Sequence, residues 1–252
     1  MRKLPILTLA LTLAIPVMPV SAQDYVIPDN TPAHIRRAVE SDNRGDDQKA
    51  RDAGRKPAEV LTLADLNEGD HVAEMSTFGQ YYTPMLVEAV GPSGMVEMYD
   101  LPLLAGFNEG AVGEAGQAFA DARTNAEYMI TDYNTIDFPA NLDAVYNVNS
   151  YHDFGNFGVD QNTFNALVFD ALRPGGKYIV VDHLAEAGSG WRDAGTLHRI
   201  DKEIVVDEVS AAGFNLVSDS SILSNPEDDR TGVVFQMRGQ TSRAVLVFQK
   251  PM

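Results

Sequence analysis

The 252-residue sequence predicts an α/β fold: a mostly parallel sheet with helices on both faces. Three observations carry this. From Gly69 onward, short runs with strand character alternate with segments of helical period, the pattern of repeated strand–helix–strand units. The run Asp143–Val148 is apolar enough to be buried on both faces, as the central strands of a parallel sheet are. The last strands follow one another without a helix between them, which predicts a terminal antiparallel pair.

The elements follow in order. Arg2 and Lys3, an apolar run from Leu4 to Val17 and the small residues Val20-Ser21-Ala22 read as a cleavable secretory signal over residues 1–22. The run is too short, and too interrupted by Pro5 and Pro16, for a membrane span. The chain is therefore expected to be exported, periplasmic or secreted, with no membrane contact after cleavage. Residues 23–56 read as an N-terminal helical appendage, with Thr31-Pro32 opening a helix over 32–41 and a charged stretch from Ser41 to Arg55. The main domain spans 57–252 and starts with a short helix at Pro57.

Within it, strands are predicted at His71–Met75, Met95–Tyr99, Glu127–Thr131, Asp143–Val148, Lys177–Val181, Phe214–Ser218 and Ala244–Gln249, with a further one considered at Val233–Met237. Helices are predicted over about 81–90, 110–123, 160–172 and 200–212. The turns Gly91-Pro92-Ser93-Gly94 and Arg173-Pro174-Gly175-Gly176 separate them, and Gly213 ends the last helix.

Composition narrows function. Thirty-six acidic residues face 19 basic ones, a formal charge of −17 that becomes −19 once Arg2 and Lys3 are removed. Such a field repels phosphate backbones and anionic lipids, so a nucleic-acid substrate is excluded in favour of a small molecule or an exposed protein group. Cysteine is absent, which excludes disulfides, thiolate metal sites and a Cys nucleophile. No nucleophile elbow, P-loop or zinc-protease helix is present.

Ligands of a parallel α/β sheet bind beyond the carboxyl ends of its strands, so the strand tips hold the candidates. Glu74 lies at the first tip, followed by Ser76, Phe78, Gly79 and Gln80. Asp100 ends the second strand, placed to accept hydrogen bonds from ribose hydroxyls, and Asp132 follows the third. Tyr151, His152 and Asp153 follow the fourth, Asp182 and His183 the fifth, and His198 precedes the last helix. His152 is the candidate general base, because an unperturbed imidazole titrates near neutrality. Asp153 or Asp182 is the candidate to orient it. Trp191, in a glycine-rich loop, reads equally as a covering aromatic or a packing residue, and Asp228-Asp229-Arg230 reads as a turn.

Four stretches carry a resemblance: RKPAEVLTLADLNEGDHVAEM, LDAVYNVNSYHDF, LRPGGKYIVVDH, and LHRIDKEIVVDEVSAAGF with NPEDDRTGVVF. Over roughly residues 55–250 the chain resembles class I S-adenosylmethionine-dependent methyltransferases, and more closely a group of exported bacterial methyltransferase-like proteins. The resemblance implies a Rossmann-like, three-layer sheet of seven strands with the last antiparallel. It also implies S-adenosyl-L-methionine as cofactor, lined by Glu74, Ser76, Gly79, Asp100 and Asp132. The glycine positions of the family's first loop hold Ser76, Phe78 and Gln80 here, and only Gly79 remains, at a spacer position.

Two other readings stand beside methyl transfer. One is a non-catalytic ligand- or partner-binding protein on the same scaffold, in which Phe78 fills the cofactor volume. The other follows from likeness to catechol-type methyltransferases: a divalent cation at Asp182 and His183 with Asn149 or Asp153. No metal ligand is assigned from the sequence itself.

Overall fold

The computed structural model describes residues 25–252, and the expected signal at 1–22 lies outside the described residues. Helices α1 (Ala33–Glu40), α2 (Asp46–Lys49), α3 (Asp52–Arg55) and α4 (Pro57–Leu63) precede the sheet. Then β1 (His71–Met75), α5 (Thr83–Val90), β2 (Met95–Asp100), α6 (Pro102–Ala105), α7 (Ala111–Asp121) and β3 (Ala126–Ile130) form the first half. The second half comprises β4 (Leu142–Val148), α8 (Gln161–Ala171), β5 (Leu172–His183), α9 (Ala194–Leu197), α10 (Lys202–Ala211), β6 (Asn215–Ser220) and β7 (Arg243–Gln249).

The seven strands lie in the order β3-β2-β1-β4-β5-β7-β6. All ladders from β3 across to β5 are parallel, and β7 runs antiparallel to both β5 and β6. This is the expected sheet. The chain leaves β1 in one direction and β4 in the other, so the switch point of the topology lies between them, where such sheets open a crevice.

The period of two along each strand divides the core. On one face Val72, Val96, Ala144, Tyr146, Ile179 and Val245 pack with α1, α4 and α5. On the other, Ala73, Val145, Tyr178, Val180 and Leu246 pack with α8 and α10. Helix α1 puts Ile35, Ala38 and Val39 into the first cluster, so the N-terminal segment supplies core. The charged stretch 41–55 folds into the two short helices, clamped by the buried Arg44–Asp52 ion pair.

Three details depart from the sequence expectation. Val234–Gln236 is one 3-10 turn, closed locally by the Gln236 amide on Val233 O and the Met237 amide on Val234 O, both at 3.0 Å. The Arg173–Gly176 segment continues into β5 across a register shift opposite Leu142 and Ala144, so the strand begins five residues early. Asp182 and His183 are thus the last residues of β5, paired with Ala244 and Arg243.

Gly116 fixes how α7 lies on β3. A Cβ there would sit 2.6 Å from the Tyr128 ring, inside contact distance of a buried aromatic. We expect Gly116→Ala to lower stability by about 1–3 kcal/mol through overpacking, despite its better helix propensity. Urea unfolding measures this, and a gain in stability would contradict it.

Candidate active site

Two buried carboxylates stand at the tips of β1 and β2. Glu74 is 4% exposed, and its Oε2 has no hydrogen-bond partner. Burial, reinforced by the nearby Asp100 charge, pushes its carboxyl up to about 8, so it is protonated at neutral pH. Asp100 is 1% exposed. Its Oδ2 accepts from Thr77 Oγ1 at 3.1 Å and Tyr128 Oη at 2.9 Å, while its Oδ1 is buried without a partner. Burial raises its pKa as well, and those two hydroxyls oppose the rise.

The loop between them is tight. Ser76, Gly79 and Gln80 all hold left-handed backbone angles, with φ of 55°, 76° and 44°. Two of these are positions where glycine would be unstrained, and here the chain carries side chains in a sparsely populated conformation. The Ser76 amide donates to Tyr99 O at 2.7 Å, and Tyr133 Oη donates to the same carbonyl at 2.9 Å. Gln48 Nε2 of α2 holds the loop from outside, donating to Gln80 O at 2.7 Å. Phe78 points outward, 52% exposed, edge-on to Phe107 at 5.8 Å. Thr77, not Phe78, is what covers Asp100. Asp132 is exposed and closes a turn, accepting from the Asn134 amide at 2.9 Å.

The residues fit S-adenosylmethionine in donor chemistry. Partnerless buried acceptors are costly, at about 1–3 kcal/mol each, and are rare in native cores. Asp100 Oδ1 is one such acceptor at the place where this type of fold receives ribose hydroxyls, and the buried Glu74 carboxyl, with its Oε2 unpaired, stands beside it. Space is open above Gly79, where an added Cβ would meet nothing within 4 Å. The Thr77 hydroxyl is the group a ribose would displace.

The second half of the site lies across the switch point. His152 and Asp153 sit in the 3-10 turn Tyr151–Asp153 after β4, and Asp182 near the end of β5. His152 Nδ1 lies 2.6 Å from Asp182 Oδ1, and its backbone amide donates to Asp182 Oδ2 at 2.8 Å. On the other side of the ring, Nε2 is 3.3 Å from Asp153 Oδ2. Both aspartates predicted to orient His152 therefore touch it. Burial opposes a charge on the ring, but the two carboxylates outweigh it and hold the imidazolium up to about 10. This departs from the near-neutral value anticipated from residue type. His198, at φ 56°, places Nδ1 2.9 Å from Asp153 Oδ1. His183 is turned away: its Nδ1 meets Thr241 Oγ1 at 2.9 Å, and burial with the nearby Arg243 keeps it neutral. The cation set anticipated at Asp182 and His183 with Asn149 or Asp153 thus does not converge, because Asp182 is spent on His152 and two backbone amides and His183 on Thr241.

A cavity of about 350 Å³ opens beside this cluster, lined by His152, Asn156, Gln161, Trp191 and Gly195 among others. Trp191 stacks on the buried Tyr151 at 6.0 Å and donates from Nε1 to Glu208, so it is both a packing residue and a cavity wall. Tyr151 itself is fully buried and faces Glu208 and Asn165, so it does not reach the cavity.

Sequence reasoning missed Arg199. It is fully buried, forks onto both oxygens of Asp228 at 2.9 Å, and also donates to Leu184 O and Gly232 O. Asp228 does close the predicted turn, accepting from the Arg230 amide at 3.1 Å, and it is also the buried counter-ion that anchors this loop. An Asp-Asp-Arg run carries no local signal of that partner 29 positions away.

The chain is similar to solved structures of one fold. Among them are a SAM-dependent methyltransferase from Aquifex aeolicus (18% identity, 75% of this chain and 87% of that one, TM-score 0.54) and another from Mesorhizobium loti (14%, 79% and 100%, TM-score 0.56). The cyclase SpnF matches equally well (18%, 84% and 85%, TM-score 0.58). No protein-family model matches the chain, and no curated protein does. At these identities the likeness establishes the class I methyltransferase fold, and SpnF carries a different reaction in its name on that same fold.

Proposed function

We propose that this chain transfers a methyl group from S-adenosylmethionine to a small molecule seated in the cavity beside His152. The observation that carries this reading is the pair of buried, unpaired carboxyl oxygens, Glu74 Oε2 and Asp100 Oδ1, at the switch point of this fold. Asp100 would hold the cofactor's ribose, Glu74 would close the floor beneath it, and Ser76 and Gly79 would line it from the loop. Asp132 stands at the outer end, where it would meet the base. The cofactor, when bound, supplies an electrophilic methyl group.

The chain's own work is positioning. Asp182 fixes the His152 ring, so that Nε2 and the Asp153 carboxylate form one polar edge. His152, opposing its burial, and His198 keep Asp153 below the ordinary carboxylate range and ionised, able to accept a hydrogen bond from an acceptor hydroxyl or amine. Trp191 supplies the apolar wall. The acidic surface favours a neutral or cationic acceptor. The leader at 1–22 supports export.

Calorimetry with S-adenosylmethionine tests the reading. Binding is expected in wild type and at least tenfold weaker in Asp100→Asn, whose amide would replace an acceptor with a donor. No heat and no thermal shift at millimolar cofactor would sink it. That outcome would favour the second reading, a binding protein on this scaffold, which the Thr77–Asp100 hydrogen bond supports.

A further inference from the structure

The polar cluster beside the cavity brings together three side chains of metal-ligating type. His152, Asp153 and His198 come from two segments 45 positions apart, yet each offers one ligand atom, and those atoms all lie within 4.8 Å of one another. The Asp153 carboxylate lies between the two rings, with Oδ2 3.3 Å from His152 Nε2 and Oδ1 2.9 Å from His198 Nδ1. The rings stand nearly perpendicular, at 89°, with centroids 5.5 Å apart. Metal–nitrogen and metal–oxygen bonds of about 2.0–2.2 Å put neighbouring ligand atoms roughly 3 to 3.5 Å apart, so an ion fits here with small side-chain shifts.

Three supporting features point the same way. Asp182 engages His152 at Nδ1, so that Nε2 becomes the ligand nitrogen as the ion displaces its proton; a carboxylate behind a ligating imidazole is the usual outer partner at metal centres. His198 sits in the left-handed region, a backbone cost for a residue with a side chain. It is held there by the Phe235 ring at 4.5 Å and by its neighbour Arg199, locked onto Asp228. Of the three residues, His152 also lines the cavity, which sets the cluster beside any molecule bound there.

We propose that His152 Nε2, Asp153 and His198 Nδ1 bind one divalent transition-metal ion, positioned to take an oxygen or nitrogen atom of the molecule in the cavity as a further ligand. Two imidazoles and one carboxylate suit zinc and its first-row neighbours rather than calcium or magnesium, which take oxygen ligands almost alone. This site shares no ligand with the pair Glu74 and Asp100, and it stands whether or not the chain binds S-adenosylmethionine.

The full chain, purified without chelator, is expected to carry close to one transition-metal ion by elemental analysis. After chelator treatment, zinc titrated by calorimetry should rebind with 1:1 stoichiometry, and cobalt(II) should give the absorption bands of an ordered site. His198→Ala, at a partly exposed position, should weaken zinc at least a hundredfold. Asp182→Asn should weaken it about 10–100-fold by loosening the ring without removing a ligand. His34→Ala, on α1 and remote from the cluster, should change nothing. Substoichiometric zinc, or zinc whose affinity is unaltered by His198→Ala in protein with a native circular dichroism spectrum, would overturn the proposal.

Discussion

Arg199→Ala is expected to destabilise the fold by about 3–5 kcal/mol, the usual loss when one member of a fully buried ion pair is removed. The reason lies in what is left behind. Asp228 keeps its charge with no exposed surface on its side chain, and its remaining donors are the backbone amides of Ser242 and Arg230. The carbonyls of Leu184 and Gly232 lose their donor at the same time. Arg199→Lys should recover only part, since an ammonium cannot span both carboxylate oxygens and two carbonyls. A double change, Arg199→Met with Asp228→Leu, removes both charges and should lie closer to wild type than either single truncation. Urea midpoints across the four proteins measure this, and a loss below about 1 kcal/mol in Arg199→Ala would show the pair to be solvated.

Glu74→Gln is expected to do the opposite to stability and to harm function. The sign follows from proton linkage. In the unfolded chain Glu74 ionises above its ordinary value of 4.5, whereas in the fold it stays protonated to about 8. Its contribution to stability is therefore complete below 4.5 and is lost as pH rises through 8. Glutamine is neutral in both states and escapes this loss. Relative to wild type, the variant should gain about 2–3 kcal/mol between pH 5 and pH 8.5, allowing for relaxation around a fully buried group. The gain should be absent at pH 4. Parallel unfolding curves at the three pH values would refute the raised carboxyl. If Glu74 serves the cofactor, the same variant should bind S-adenosylmethionine more weakly. A stabilising change that costs affinity is what a strained binding residue produces.

Much of the architecture was legible because it is encoded locally. The limits His71 and Met75 of β1 coincide with expectation, since Asp70 and the following loop break the apolar run at both ends. Gly213, at φ 108°, ends the last long helix as anticipated from residue type alone. The burial of β4 on both faces follows from its composition. The candidate residues were legible through topology: once the sheet is parallel, Glu74, Asp100, His152 and Asp182 must lie along one edge.

What side chains do at that edge was not legible. Residue type points His152 to a near-neutral base with Asp153 or Asp182 beside it, but type does not show that both carboxylates, one from its own turn and one from β5, close on the ring together. Asp182 and His183 are adjacent in sequence, yet consecutive strand residues point to opposite faces, so one serves His152 and the other Thr241. The left-handed angles of the first loop set Phe78 against Phe107 and lay Thr77 on Asp100, and neither contact has a signal in the sequence.

The sequence by itself determined the alternation of strands and helices, the antiparallel end of the sheet and the acidic surface, because periodicity, turn residues and charge act over a few positions. Only the tertiary structure decided the ionisation of Glu74, the burial of Arg199 against Asp228 and the meeting of His152, Asp153 and His198. Those depend on distance and desolvation, and both are set by which strands the sheet makes neighbours.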